Sequence, residues 1–179
     1  MPLGAAVLYV VAALLIKRSN DFGVGPWRTL FVSNVIGAII FQALLPFGGP
    51  FPRELLWQPA LGGALFLVAQ LFNYLSLQRG DVSVATPVLG LKIVLVALFA
   101  TLFGTQGVTP TLWAAAVLSS LGIALLNRTS GTHHHVGLTI LYSFLTATLY
   151  ALFDVLMQKW LPEWGTGRFL PAVLAFVVL

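Results

Sequence analysis

Long uncharged apolar stretches alternate with short polar or proline- and glycine-rich stretches along this chain. Roughly 20 helical residues cross the ~30 Å hydrocarbon core of a bilayer, and most of these stretches approach that length. The apolar residues run continuously instead of alternating, which favours helices over the strands of a barrel. The pattern predicts seven helical segments, at residues 3–16, 27–45, 60–77, 82–103, 110–126, 136–161 and from about residue 168 to the end.

Two stretches of the chain resemble each other. Residues 14–25 read LLIKRSNDFGVG and residues 156–167 read LMQKWLPEWGTG. The identical pairs are Leu14/Leu156, Lys17/Lys159, Gly23/Gly165 and Gly25/Gly167. Their common offset is 159 − 17 = 142 residues, and five predicted segments fill it. Since five is odd, the second unit enters the membrane from the opposite side, as in the inverted-topology repeats of secondary transporters.

This repeat divides the chain into three parts. Residues 1–128 form the first five-helix unit, residues 129–135 a linker, and residues 136–179 the beginning of the second unit. The seventh segment is too short to span, so the second unit breaks off within it. We therefore expect a fragment of a protein with two periods, roughly 280–300 residues, because inverted-repeat transporters need both units. The alternative is a natural short protein with a peripheral seventh helix.

Composition supports an all-α membrane protein. Hydrophobic residues make up 59% of the chain and charged residues 8%, whereas soluble domains have about 45–50% and about 25%. The chain has no cysteine, so disulfide and thiol chemistry are excluded. No basic run exceeds Lys17-Arg18, which argues against a nucleic-acid partner. His133, His134 and His135 are consecutive in the flexible linker and do not preform a metal site, and no cofactor is predicted.

A single lysine lies near the middle of the fourth segment. A charge at that depth costs about 2.5–3.5 kcal/mol on insertion scales, and such residues commonly mark function. We interpret Lys92 as facing a hydrated pathway, where it contacts an anionic group or a proton. The alternative is a structural pair or a snorkelling side chain.

Asp154 is the one acid inside a predicted segment. It could pair with Lys92 across the repeat interface or take part in proton coupling. Alternatively, it is an interfacial acid that pairs locally with Gln158 or Lys159. Tyr150 lies on the same helix face, four residues earlier.

The third segment has a polar face. Gln70, Asn73 and Tyr74 follow the i, i+3, i+4 spacing that places side chains on one side of a helix. They either line a solute pathway or make hydrogen bonds between helices, which are common in membrane bundles. Asn34 adds a weaker signal of the same kind. Pro87 either breaks the fourth segment or sits in its first turn, where proline costs little, and we favour the first turn.

Residues 75–104 read LSLQRGDVSVATPVLGLKIVLVALFATLFG, and residues 112–128 read LWAAAVLSSLGIALLNR. Together with Lys17, Gly25-Pro26 and Arg28, they resemble the EamA-like ten-helix branch of the drug/metabolite transporter superfamily. The resemblance implies a secondary transporter that moves a small solute. Its pattern often has a glutamate after the fourth helix, where this chain has Gln106, so any role of that acid does not carry over.

We therefore predict transport of a small polar metabolite by alternating access, with the site between the repeats near the midplane. The predicted substrate-binding residues are Lys92, Gln70, Asn73, Tyr74, Asp154 and Tyr150. A non-transporting scaffold or assembly subunit is the alternative, followed by an intramembrane enzyme, although the chain has neither HExxH nor GxSxG.

The expected setting is the cell (inner) membrane, crossed several times. The expected partners are the lipid bilayer and the solute, with a coupled proton or an exchanged solute. The sequence does not decide whether the protein forms a homo-oligomer. Two arguments about the orientation of the chain in the membrane contradict each other. The loops after segments one, three and five hold more basic residues than those after two and six, which places the N-terminus outside. The resemblance implies an N-terminus inside, and we follow the resemblance.

Overall fold

The computed structural model describes residues 22–79, 82–104, 109–126 and 136–179, together with single residues at positions 4, 7, 8, 11, 15 and 18. Most of the first predicted segment lies outside the described residues. So do Lys17, Gln106 and the whole linker with its three histidines. The predicted boundaries of the two repeat units therefore stay predictions.

Seven α-helices make up most of the described part of the chain, and no strand occurs there. They are α1 (Pro26–Gln42), α2 (Trp57–Arg79), α3 (Val82–Gly90), α4 (Lys92–Leu102), α5 (Pro110–Leu126), α6 (Val136–Trp164) and α7 (Thr166–Val178). Two single 3-10 turns, Leu45–Phe47 and Arg53–Leu55, lie between α1 and α2. Three helical stretches are long and apolar enough to cross a membrane: Arg53–Leu77, Val84–Leu102 and Val136–Trp164. The all-α prediction is confirmed for these residues.

The fourth predicted segment, residues 82–103, is divided into α3 and α4. The break falls at Leu91, whose N–H bonds to the carbonyl of Val88 at 3.1 Å, three residues back. The α pattern resumes where the N–H of Leu95 bonds to the carbonyl of Leu91 at 3.0 Å. Pro87 lies inside α3, beyond the first turn that we favoured. Proline removes its own backbone donor and disturbs the helical turn that precedes it, whereas the break at Leu91 lies one turn after Pro87.

Helix α6 is the centre of the packing. It is 29 residues long, or about 43 Å at 1.5 Å per residue, and it contacts α2, α3, α4 and α7. It runs antiparallel to α2, because Gln58 bonds to Glu163 near one end while Ser76 and Ser143 share a 2.6 Å hydrogen bond near the other. We call these the Trp164 end and the Ser76 end. Helix α5 packs behind α3 and α4, and α7 packs on α1 and α2.

The Trp164 end is closed by a buried cluster of Trp160, Trp164, Phe169 and Val173. At this end of the molecule, the backbone of the turn after α1 packs directly against the backbone at the start of α7. A Cβ atom on Gly167 would lie 2.6 Å from the backbone nitrogen of Gly48, a separation that only glycine permits. Helix α7 therefore begins where α1 ends.

From there α7 follows α2. Val173 lies 3.6 Å from the position that a Cβ of Gly62 would take, and Phe176 lies further on, against Gly63. Because α2 starts at the Trp164 end, α7 runs in the same direction as α2. It therefore runs opposite to α1, which ends there.

Candidate functional site

A cavity of about 600 Å³ lies among α1, α2, α3, α4 and α6. All six predicted site residues line it: Gln70, Asn73 and Tyr74 from α2, Lys92 from α4, and Tyr150 and Asp154 from α6. The structure thus brings together residues that were selected separately on three segments. That they bind a solute stays a prediction.

An ion pair stands on the wall of the cavity. The Nζ atom of Lys92 lies 2.7 Å from Oδ2 of Asp154, and the two side chains are 38% and 42% exposed. The same Nζ lies 5.4 Å from the centroid of the Tyr150 ring, within the range of a cation–π contact. Of the partners considered for Asp154, the structure selects Lys92. The pair offsets the cost of two charges among apolar helices while leaving both accessible from the cavity.

The position of Lys92 depends on the helix break. Lys92 is the first residue of α4, directly after Leu91. Helix α5 packs against the backbone at this break. The Ser120 hydroxyl donates a buried 3.0 Å hydrogen bond to the carbonyl of Gly90. Ile123 lies only 3.1 Å from the position of a Cβ on Gly90. The glycine therefore lets α5 approach the backbone that carries Lys92.

The polar face of α2 makes a hydrogen bond to a neighbouring helix and also lines the cavity. Gln70 accepts a 2.8 Å hydrogen bond from the Nδ2 of Asn34 on α1, and Asn34 is buried. This contact is the interhelical bond that the sequence left open. Gln70 nevertheless lines the cavity beside half-buried Asn73 and buried Tyr74.

Apolar side chains form the rest of the wall, and the sequence did not single them out. They are Leu30, Phe66, Leu77, Leu89, Ala147 and Phe153. Ser33, which belongs to the weak polar signal of Asn34, also lines the cavity. The Phe66 ring lies 5.1 Å from the Phe153 ring and 5.9 Å from the Tyr150 ring. Phe153 also packs against the buried cluster of the Trp164 end. Phe66 lies one helical turn before Gln70, and Phe153 is next to Asp154 in the sequence. Neither was predicted, because an apolar residue does not stand out in an apolar helix.

A second polar cluster was also not predicted from the sequence. The indole Nε1 of Trp164 donates to Oε1 of Gln58 at 2.8 Å in a buried position. The Nε2 of Gln58 donates to Oε2 of Glu163 at 3.1 Å. These contacts join α2 to the end of α6. The partners are more than a hundred residues apart in sequence, so no local pattern indicates them.

The family model of the EamA-like transporters matches residues 1–128. The chain belongs to the EamA-like transporter family. Members of this family are transporters, and the apolar helices agree with an integral membrane protein. Comparisons with curated proteins and with solved structures find no match. Among the described residues of this EamA-like chain, no group of three histidine or acidic side chains could hold a metal ion.

Proposed function

We propose that this EamA-like protein is a secondary transporter that moves a small polar metabolite by alternating access, with the α1–α4/α6 cavity as its binding site. The observation that carries the proposal is the Lys92–Asp154 pair, about 40% exposed on a cavity within a bundle of apolar helices. Intramembrane charges that face a cavity mark solute or ion pathways. Gln70, Asn73, Tyr74 and Tyr150 would offer donors, acceptors and ring faces to the same solute.

The geometry of α1 and α7 supports the inverted repeat on which alternating access rests. The α1 helix ends at the Trp164 end, and α7 starts there and runs the opposite way. The glycines that match in the two units also have similar backbones, with φ of +69° at Gly23 and +73° at Gly165. Equivalent helices of opposite direction are what two inverted units require. We infer units at residues 1–128 and 136–179, crossing the cell (inner) membrane several times.

A non-transporting scaffold is the competing function. It would explain the helix packing, but it gives no reason to keep two charges accessible from a cavity. A coupled proton, an exchanged solute and a homo-oligomer remain part of the transporter proposal.

Solute flux through liposomes tests the proposal. The protein is reconstituted, and uptake and efflux are profiled against a metabolite panel. The double variant Lys92→Met/Asp154→Asn removes both charges at similar volume, so neither ion is left without a partner. We expect it to fold and to lose flux by about tenfold or more, equivalent to about 1.4 kcal/mol in the barrier to transport.

Lys159→Met is the matched control, because this lysine of α6 is exposed outside the cavity, with its Nζ 6.0 Å from the Phe103 ring. It should transport at the parent rate. Lys92→Arg should transport less than the parent, since a planar guanidinium is a poor substitute for a point charge. If the double variant transports at the parent rate, the pair is structural and the proposed site is wrong.

A further inference from the structure

We propose that a surface groove beside α7 binds one anionic phospholipid, with the lipid phosphate on Arg168 and one acyl chain along the helix. The groove has a volume of about 260 Å³, and it shares no described lining residue with the cavity of Lys92 and Asp154. We call it the α7 groove. It opens to the surface, because its lining residues Leu45 and Leu179 are exposed. The inference goes beyond the proposed transport function and does not depend on it.

One end of the α7 groove lies where the chain leaves the hydrocarbon core. Residues 48–52 are irregular, and irregular backbone that is exposed to lipid does not occur within the hydrocarbon. Trp57 is exposed at the first position of α2, and tryptophan is enriched at membrane–water interfaces. The polar lining residues are Gln42, the last residue of α1, and Arg168, in the first turn of α7. Both lie at this Trp164 end, so Arg168 lies at the depth of lipid headgroups.

The guanidinium of Arg168 supplies the charge that a phosphate requires. Its side chain is half-buried, and within the described part of the chain no carboxylate forms an ion pair with it. Gly48 leaves room for this side chain, since a Cβ atom on Gly48 would lie 2.9 Å from the Nε of Arg168. A guanidinium presents a planar set of donors that binds phosphate through two hydrogen bonds. The amide of Gln42 offers further donors to the same headgroup.

The apolar part of the α7 groove has the length of one lipid leaflet. The lining residues on α7 follow the helical period and share one face; they are Arg168, Pro171, Ala172, Ala175, Phe176 and Leu179. From the first to the last of them the helix rises about 16 Å, at 1.5 Å per residue. Half of the ~30 Å hydrocarbon core is about 15 Å. An acyl chain that descends from a headgroup on Arg168 therefore matches the groove in direction and length.

Native mass spectrometry of the purified protein in mild detergent tests the site with two lipids that have the same acyl chains. Dioleoylphosphatidylglycerol has a net negative charge, whereas the choline of dioleoylphosphatidylcholine offsets the charge of its phosphate. Binding is measured at about 0.15 M salt, where the Debye length of about 8 Å screens distant charges. We expect a single phosphatidylglycerol to be retained per chain, and to bind about fivefold more tightly than phosphatidylcholine, as expected for one arginine at an anionic lipid.

Two pairs of variants separate the headgroup contact from the chain contact. Arg168→Gln removes the charge, so both lipids should bind alike. Its control is Arg53→Gln, which removes an exposed arginine of the same end outside the groove and should preserve the preference. Ala175→Leu fills the groove and should weaken the binding of both lipids. Its control, Ala115→Leu, enlarges an exposed alanine of α5 and should weaken neither. Thermal unfolding verifies that each variant is folded.

The lipid inference is overturned if the parent protein binds the two lipids equally, or if Arg168→Gln keeps the preference. Unchanged lipid binding by Ala175→Leu would also overturn it, because the acyl chain would then lie elsewhere. An excess of sn-glycerol 3-phosphate should not displace the lipid, and displacement would reveal a site for free anions instead. A dimer that forms without lipid and is lost in Ala175→Leu would assign the groove to a second copy of the chain. The proposed transport function would survive each of these results.

Discussion

At the scale of single residues, backbone freedom matters as much as side-chain chemistry. Gly165 caps the start of α7 with φ 73° and ψ 148°, a conformation essentially confined to glycine. The turn it forms lets Gly167 contact the backbone of Gly48. That contact brings the end of α1 against the start of α7. The predicted repeat therefore contains glycines that the packing of this end requires.

Gly165→Ala should destabilise the protein by about 1–3 kcal/mol, the cost of a side chain in such a backbone region. The new Cβ would also lie 3.2 Å from the nitrogen of Gly49. Thermal unfolding in detergent measures the effect. Gly37→Ala is the matched control, because nothing lies within 4 Å of its Cβ position inside α1. It should be neutral or slightly stabilising, and equal effects of the two variants would contradict the argument.

At the scale of helices, the break between α3 and α4 determines where Lys92 lies in the candidate site. A continuous helix would carry Lys92 in an unbroken register, whereas the break makes it the first residue of a new helix. Helix α5 supports the break through Ser120 and Ile123 without touching the cavity. We infer that Ser120 positions Lys92 by holding the carbonyl of Gly90.

Ser120→Ala removes a buried hydrogen bond and should lower stability by about 1 kcal/mol, the typical net worth of such a bond. It should also lower solute flux, because the backbone before Lys92 loses its support. Flux through liposomes and thermal unfolding measure the two effects. Ser119→Ala changes the neighbouring exposed serine and should do neither. Loss of stability with unchanged flux would show that Ser120 only packs α5.

At the scale of the whole molecule, α6 links the cavity to the buried cluster at the Trp164 end. It pairs with α2 along its length, carries Asp154 and Tyr150 into the cavity, and ends in the cluster of the Trp164 end. Phe153 belongs to both the cavity wall and that cluster. The cavity is therefore separated from the Trp164 end by packed aromatic side chains, in which Trp164 bonds to Gln58.

Thiol labelling tests the opposite placement of the two matched turns. The chain has no cysteine, so single cysteines can be introduced at Val24 and at Thr166. An impermeant thiol reagent applied from one side should label only one of the two variants. After permeabilisation both should react, which controls for accessibility. Labelling of both variants from the same side of an intact membrane would contradict the inverted arrangement.

The positions of the helices and of the polar residues on them could be predicted from the sequence alone. Apolar stretches of bilayer length and the i, i+3, i+4 spacing of Gln70, Asn73 and Tyr74 are local properties, since helical geometry repeats within one element. The predicted bounds of α5 agree with Pro110–Leu126. Lys92 and Asp154 also stood out locally, because charge is expensive in an apolar segment.

Tertiary structure decided the rest, because contacts between distant segments leave no local pattern. It determined which partner neutralises Lys92, where the fourth segment breaks, and which apolar residues face the cavity. Pro87 disturbs the helical turn that precedes it, whereas the backbone at the break has Ser120 and Ile123 of α5 packed against Gly90. The bond between Gln58 and Trp164 joins residues on α2 and α6 that only packing brings together. The sequence thus determined the candidate residues, and the fold placed them around one cavity.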